Sequence, residues 1–278
     1  MANKRRHQHS YQGGGRLWGL YVVLTTVLVL AAIGAGCIVF FKVSSVEVYI
    51  RDSEGNTAAL AQDDRYSQEE ILEAADIDIG DNLFLLNKNR AAATILSRLT
   101  YVSSVSIQKK LPGTVVLTLA ESGAAAAIQD GESWWLIDLN GKLLEETDSD
   151  PGCTVLLGLT PVDPVEGEAL SVPDGSDEEV GNQTLQLSSL LELLTPLQDY
   201  GLLDDVVSID LSSESTVTLD YDGRIQVKLP LEADYNEKIK YFAEILTDYV
   251  AENWTEDDTG TLDMTYSDGN PHLVKNEK

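Results

Sequence analysis

Hydrophobic and polar positions divide this chain sharply. Leu17 to Phe41 is a run of 25 residues without a charge, rich in Leu, Val, Ile, Ala and Phe. A helix of that length rises about 37 Å at ~1.5 Å per residue, enough to cross a ~30 Å hydrocarbon core with some tilt. Trp18 and Tyr21 stand at one end, where amphipathic rings favour the headgroup level. Beyond the run, Val46, Val48 and Ile50 alternate with Glu47 and Tyr49, a strand with one buried face. Arg51 to Arg65 is polar and reads as a loop. Ser67 with Glu70 three residues on is a capping box, and Ile71, Leu72, Ala74 and Ala75 supply the helix face behind it. Asn87 to Leu99 has Ala91, Ile95, Leu96 and Leu99 at helical spacing. Strands follow at Tyr101 to Ile107 and at Val115 to Glu121, joined by a turn at Leu111-Pro112-Gly113. The order is strand, helix, helix, strand, strand.

The next stretch is richer in strands. Ala124 to Ile128, Trp134 to Asp138, Lys142 to Leu144 and Thr154 to Leu157 are short candidates. Asn140-Gly141 carries a type I′ hairpin signal. Regular pleating of the second would place Trp134 and Trp135 on opposite faces. Pro161 to Gly181 reads as an exposed excursion, and Leu185 to Leu197 as a helix ended by Pro196. Val206 to Leu211, Thr216 to Asp220 and Arg224 to Leu229 are strands, the last two joined at Tyr221-Asp222-Gly223. Tyr235 to Trp254 is an amphipathic helix whose Ile239, Phe242, Ile245, Leu246, Tyr249 and Val250 share a face. Gly260 to Tyr266 closes the pattern as a final edge strand, leaving 267–278 as a flexible tail.

Charge orients the apolar run. Lys4, Arg5, Arg6 and Arg16 precede it with no acid among them, against Lys42 close behind it. The positive-inside rule keeps the short tail in the cytoplasm and exports the remainder. From Lys42 onward 15 basic residues face 46 acidic ones, a formal charge of −31. Such a surface repels nucleic acid and anionic headgroups. A cleaved signal peptide is the alternative for the run, but signal h-regions span ~7–15 residues. Ala32 and Gly36 read as a small-residue helix face. The two cysteines, Cys37 in the run and Cys153 beyond it, provide no disulfide framework.

Catalytic groups are sparse. Of three histidines only His272 lies beyond the apolar run, so a histidine-dependent nucleophile or a zinc site lacks members. Carboxylate pairs such as Asp63-Asp64 and Glu145-Glu146 are what an acidic surface produces by adjacency. Asp76-Ile-Asp-Ile-Gly-Asp-Asn departs from the calcium-loop register. No metal, cofactor or small-molecule substrate is expected.

Several segments carry a resemblance. Val43-Ser-Ser-Val-Glu-Val, Tyr66-Ser-Gln-Glu-Glu-Ile, Ile79-Gly-Asp-Asn-Leu-Phe, Leu99-Thr-Tyr-Val-Ser-Ser-Val-Ser-Ile and Lys110-Leu-Pro-Gly-Thr-Val-Val-Leu-Thr-Leu-Ala-Glu121 resemble, in order and spacing, an FtsQ-type POTRA domain. Leu136-Ile-Asp-Leu-Asn-Gly-Lys-Leu-Leu, Asp222-Gly-Arg-Ile-Gln-Val, Lys238-Ile-Lys-Tyr-Phe-Ala-Glu-Ile-Leu and Leu262-Asp-Met-Thr-Tyr-Ser-Asp-Gly269 resemble the β domain of the DivIB/FtsQ family of bacterial cell division proteins. Thr100 departs from the proline often found there. The resemblance implies an α+β fold: a cytoplasmic tail (1–16), a single transmembrane helix (17–41), a β-α-α-β-β POTRA domain (42–121) and a mixed β domain with two helices (122–266).

By the same resemblance the protein is a non-enzymatic divisome scaffold needed for septum formation. It would sit in the cell membrane at the division septum, with its C-terminal domains outside, and bind FtsL-like and DivIC/FtsB-like partners. The family's partner contact maps onto Tyr266, Asp268 and Gly269, with Met264 as a further position. The alternative for Tyr266 is that it closes the β-domain core. Rival functions are a POTRA-containing transport or assembly protein, which would need a series of barrel strands, and an anchored cell-wall enzyme.

Overall fold

A computed structural model describes residues 15–51, 55–62, 64–175, 183–266 and 270–276. The basic tail before Gly15, the acidic part of the 161–181 excursion, and Asp268 and Gly269 lie outside the described residues, as does the side chain of Cys37. Helix α1 (Gly15–Phe40) contains the apolar run, and its window Trp18–Gly36 is long and apolar enough to cross a membrane.

The chain then builds two sheets. The first has strands β1 (Ser45–Arg51), β2 (Thr57–Ala59), β3 (Val102–Lys110) and β4 (Thr114–Glu121) in the order β2-β1-β4-β3, with β1 and β4 parallel. Helices α2 (Gln68–Ala75) and α3 (Lys88–Arg98) pack on it through Ile71, Ala74, Ala91 and Ile95, against Val115, Leu117 and Leu119. The capping box is present: the Ser67 hydroxyl accepts from Glu70 N while the Glu70 carboxylate accepts from Ser67 N. Strand β2 lies inside the stretch expected as loop. Its three residues pair with Tyr49–Arg51, and all three are exposed, so no hydrophobic alternation marks it.

The second sheet has nine strands. Strands β5 (Ala126–Asp130), β6 (Ser133–Ile137), β7 (Leu143–Thr147), β8 (Thr154–Leu157), β9 (Val206–Asp210), β10 (Thr216–Tyr221), β11 (Ile225–Pro230), β12 (Gly260–Asp263) and β13 (His272–Lys275) run in the order β13-β12-β11-β10-β9-β8-β5-β6-β7. Helices α4 (Thr184–Asp199) and α5 (Tyr235–Ile245) cover one face. Leu190, Leu193, Leu194, Leu197, Ile239 and Phe242 meet Ile209, Leu219, Val227 and Leu262 there. These four strand residues are direct cross-strand partners, so one register row faces the core. The opposite row, Ser208, Asp220, Gln226 and Thr261, is polar. Trp135 joins this core while Trp134 packs on the other face, as pleating predicts.

Several expectations are corrected. Helix α4 runs through Pro196 to Asp199: the ring forfeits one backbone bond, and Leu197 beyond it is held by the core. Asn140-Gly141 is not a two-residue hairpin turn. The loop is built on the buried Asp138, whose carboxylate accepts from Asn140 N (2.8 Å) and Lys142 N (2.9 Å), and of that pair only Gly141 has positive φ. The type I′ geometry occurs instead at Asp222-Gly223, both at positive φ. The excursion after Pro161 is pinned in part: Leu143 N donates to Glu168 O and Leu170 N to Gly141 O, and Leu170 is buried. The helix through Tyr235 contains a π turn over Leu246–Val250, which advances the register by one and turns Val250, not Tyr249, to the core. Finally, β12 is not an edge, because β13 forms within the expected flexible tail and pairs with it.

Candidate interaction edge

Two edges bound the nine-stranded sheet, and they differ. At β7 the segment around Gly167–Leu170 caps the strand. At β13 the outermost strand has no neighbour among the described residues. Asn276 N donates to Thr259 O (2.8 Å), so alternation turns the N–H and C=O of Leu273 and Lys275 outward. A row of such groups is a template for another chain's strand.

Side chains hold β13 firmly on its inner side. The Lys275 ammonium donates to the Asp258 carboxylate at 2.6 Å, and the same oxygen accepts from Thr255 N at 2.7 Å. These bonds, that from Lys275 foremost, hold the Asp258 carboxyl well below the usual carboxylate range. Arg224 fastens the same corner, donating from Nη2 to Thr255 O (2.7 Å) and from Nε to Asp258 O (3.3 Å). Gly260 has no alternative here, since a Cβ would run into the Trp254 ring and Val274 O.

Of the residues singled out from the sequence, Met264 is 2% exposed and belongs to the core; its backbone N–H bonds to Lys228 O (2.9 Å) and its C=O accepts from Lys238 Nζ (3.3 Å). A side chain so placed offers a partner nothing. Tyr266 is 53% exposed and lies against the His272 ring, centroids 4.3 Å apart, so it does not close the core. Between them Asp263 accepts from Thr265 N (2.9 Å) and Oγ1 (2.6 Å), bonds that lower its carboxyl below the ordinary value. The structure thus brings Tyr266 to the start of β13. Sequence reading missed Asp258, Lys275 and Val274, which is exposed on the outer face of β13. The only signal was the pair Leu273-Val274 after Pro271, too short to show a period.

Cys153, the cysteine beyond α1, is half-buried, and burial and the nearby Asp150 push its thiol up. That is the reverse of nucleophile activation. Among the described residues no group of three or more His, Cys, Asp or Glu side chains could hold a metal ion.

Comparison with known proteins bears on this architecture. Residues 60–122 match the model of the POTRA domain, FtsQ-type, and residues 126–265 match that of Cell division protein FtsQ/DivIB, C-terminal. The chain is 27% identical over 145 residues to a cell division protein DivIB of Clostridium acetobutylicum, covering 51% of this chain and 53% of that one. It therefore spans about half the length of that relative. A DivIB of Clostridium tetani is 25% identical over 207 residues, 74% of this chain and 70% of that one. An FtsQ of Corynebacterium glutamicum is 27% identical over 210 residues, with 73% and 79% covered. The solved extracytoplasmic domain of Geobacillus stearothermophilus DivIB aligns at 16% identity over 49% of this chain and 98% of that one, with a TM-score of 0.28. With the C-terminal family model spanning half of its length and the POTRA model the stretch before it, the chain belongs to the FtsQ/DivIB family of cell division proteins.

Proposed function

We propose that this protein is a non-enzymatic scaffold of the division septum, held in the membrane by α1 with its N-terminus in the cytoplasm. The parts are a transmembrane segment (17–41), a POTRA domain (42–121) and a partner-binding β domain that extends past 266 to include β13. The charge asymmetry around α1 supports the orientation. The raised Cys153 thiol speaks against covalent chemistry there.

The observation that carries the reading is the open β13 edge, with outward backbone groups at Leu273 and Lys275 and a half-exposed Tyr266 beside it. A strand from an FtsL- or DivIC/FtsB-like partner would add there, with Tyr266 and the neighbouring Asp268 and Gly269 as contacts. Backbone pairing supplies affinity in such complexes, and side-chain pockets supply specificity.

Co-purification of the full-length chain with its FtsL–DivIC-like pair tests this, beside Val274→Lys and a truncation after Tyr266. Capture by the unaltered chain, lost in both variants, is the expected result. Capture by all three would move the contact away from β13. No capture by any would overturn the scaffold reading itself.

A further inference from the structure

The end of α1 is tied into the first sheet over very few residues. Leu83 N donates to Phe41 O, Val43 N to Asp81 O, Gly80 N to Val43 O and Ser44 N to Gly113 O, each at 2.8 Å. The Phe41 ring meets Phe84 edge-on at 4.9 Å, and a bridge joins Lys42 to Asn82. Gly113 is required for this closeness, because a Cβ there would collide with Lys42 O. The loop of residues 78–86 and the Leu111-Pro112-Gly113 turn are therefore held beside the last turn of α1.

Both loops turn apolar side chains outward. Ile79, Phe84, Leu85 and Leu111 are exposed, from 56% at Phe84 to 80% at Leu85, and Phe40, the last residue of α1, is exposed as well. Lysines flank the cluster: Lys109 Nζ donates to Leu86 O at 2.7 Å, Lys110 pairs with Glu47 at 3.1 Å, and Lys42 is exposed. Acids near the cluster are Glu47, held by Lys110, Asp76, which lines a hollow with Leu85, and Asp78 and Asp81, with Asp81 accepting from Asp78 N at 3.0 Å. Apolar tips gathered at one place mark an interaction site rather than scattered exposure.

We infer that this rim enters the boundary between headgroups and acyl chains of the same bilayer that α1 crosses. The occupant is lipid because the backbone bonds at Phe41, Val43 and Ser44 keep the rim at the level where α1 leaves the hydrocarbon. Aliphatic and aromatic tips suit that depth, while lysine stems run along it and keep their charges in water. The POTRA region is then fastened to the membrane at three places, α1 and the two loops, rather than swinging on Lys42. The inference rests on the reading of α1 as a membrane span.

Nitroxide labels on the full-length chain in phosphatidylcholine–phosphatidylglycerol nanodiscs test it. In a Cys37→Ala, Cys153→Ser background, single cysteines would replace Leu28, Leu85, Leu111 or Asp222, and oxygen and a water-soluble nickel chelate would report immersion. Leu28 calibrates the bilayer, and Asp222 lies in the exposed turn after β10. The expected result is an oxygen-to-nickel accessibility ratio at Leu85 and Leu111 several-fold above that at Asp222. Ratios equal to that at Asp222, with Leu28 immersed, would overturn the rim while leaving α1 a membrane span. A label at Leu28 that stays in water would overturn both.

Discussion

The nine-stranded sheet shares one helix-covered core, yet its two ends treat their other face in opposite ways. At the β5–β7 end, Ala127, Leu136 and Leu144 turn outward from the α4–α5 side and are buried against Tyr101 of the POTRA region, with Tyr66 and Trp134 around them. Polar contacts lock the same junction. Lys142 reaches across to donate to Leu99 O (3.2 Å) and Val102 O (3.1 Å), Ser122 Oγ bonds to Asp138 (2.9 Å), and the Arg65 guanidinium stacks 3.7 Å over the Tyr101 ring. Gly167 lets the chain pass so near Ser97 O that no side chain would fit. At the β9–β13 end the outer row is polar and half-buried to exposed, and the last strand has no neighbour among the described residues. One end has exchanged solvent for a rigid joint, and the other has kept the exposed backbone that binding by strand addition needs. A firm joint at one end would let a partner gripped at the other be positioned relative to the POTRA region.

The largest expected effect lies at the joint. Leu144→Ala, at a fully buried position between the two sheets, should cost about 2–5 kcal/mol in denaturant unfolding. Thr261→Ala, on the polar outer row, should change stability by no more than about 0.5 kcal/mol. Equal costs would erase the distinction between the ends. Next comes Lys142→Met, which deprives two backbone carbonyls of a charged donor and should cost about 1–3 kcal/mol. Spin-label distances between the two sheets should broaden in that variant; an unchanged distribution would mean that the apolar contacts suffice.

A pH scan sharpens the comparison at smaller amplitude. Burial and the hydrogen bond to Glu145 push the Tyr101 phenol up to about 12, against an ordinary value of about 10. Its contribution to the joint is present in full below about pH 10 and is lost as pH rises toward 12. Alkaline opening of the joint should therefore lie in that window, and Tyr101→Phe should remove this pH dependence. Tyr221, also pushed up to about 12 by burial and Asp205, remains in that variant as an internal reference at the other end. At β13 the sign reverses. The depressed Asp258 carboxyl contributes in full above the ordinary carboxylate range of about 4 and loses that contribution only as pH falls below it. Asp258→Asn should speed amide exchange in β12 and β13 at neutral pH and leave the joint unaffected. Exchange that is unchanged would show that backbone pairing alone retains β13.

Much of this molecule could be read from the chain by local rules. A 25-residue uncharged run has one physical outcome as a helix, and the Ser67–Glu70 box, the Tyr101–Ile107 and Val115–Glu121 strands and the Phe242 face of α5 follow from periodicity and capping. Each of these signals is carried by residues within a turn or two of each other. The misses are of another kind. Strands β2 and β13 are short and solvent-facing, and they exist because a neighbouring strand offers hydrogen bonds that no local pattern announces. The π turn leaves Tyr249 exposed and only Val250 of the expected pair in the core, a change of helical register that periodicity at 3.6 residues per turn does not announce. Asp138 and Lys142 read only as the polar ends of two short strands, yet become the centre of the joint because folding brings Leu99, Val102 and Ser122 beside them. Sequence alone carried most of the elements, the resemblance to the family, and an expected orientation of the apolar helix from its flanking charge. Which strand is the open edge, and which end of the sheet is sealed, depended on pairing between residues far apart in the chain, and only the tertiary structure decided it.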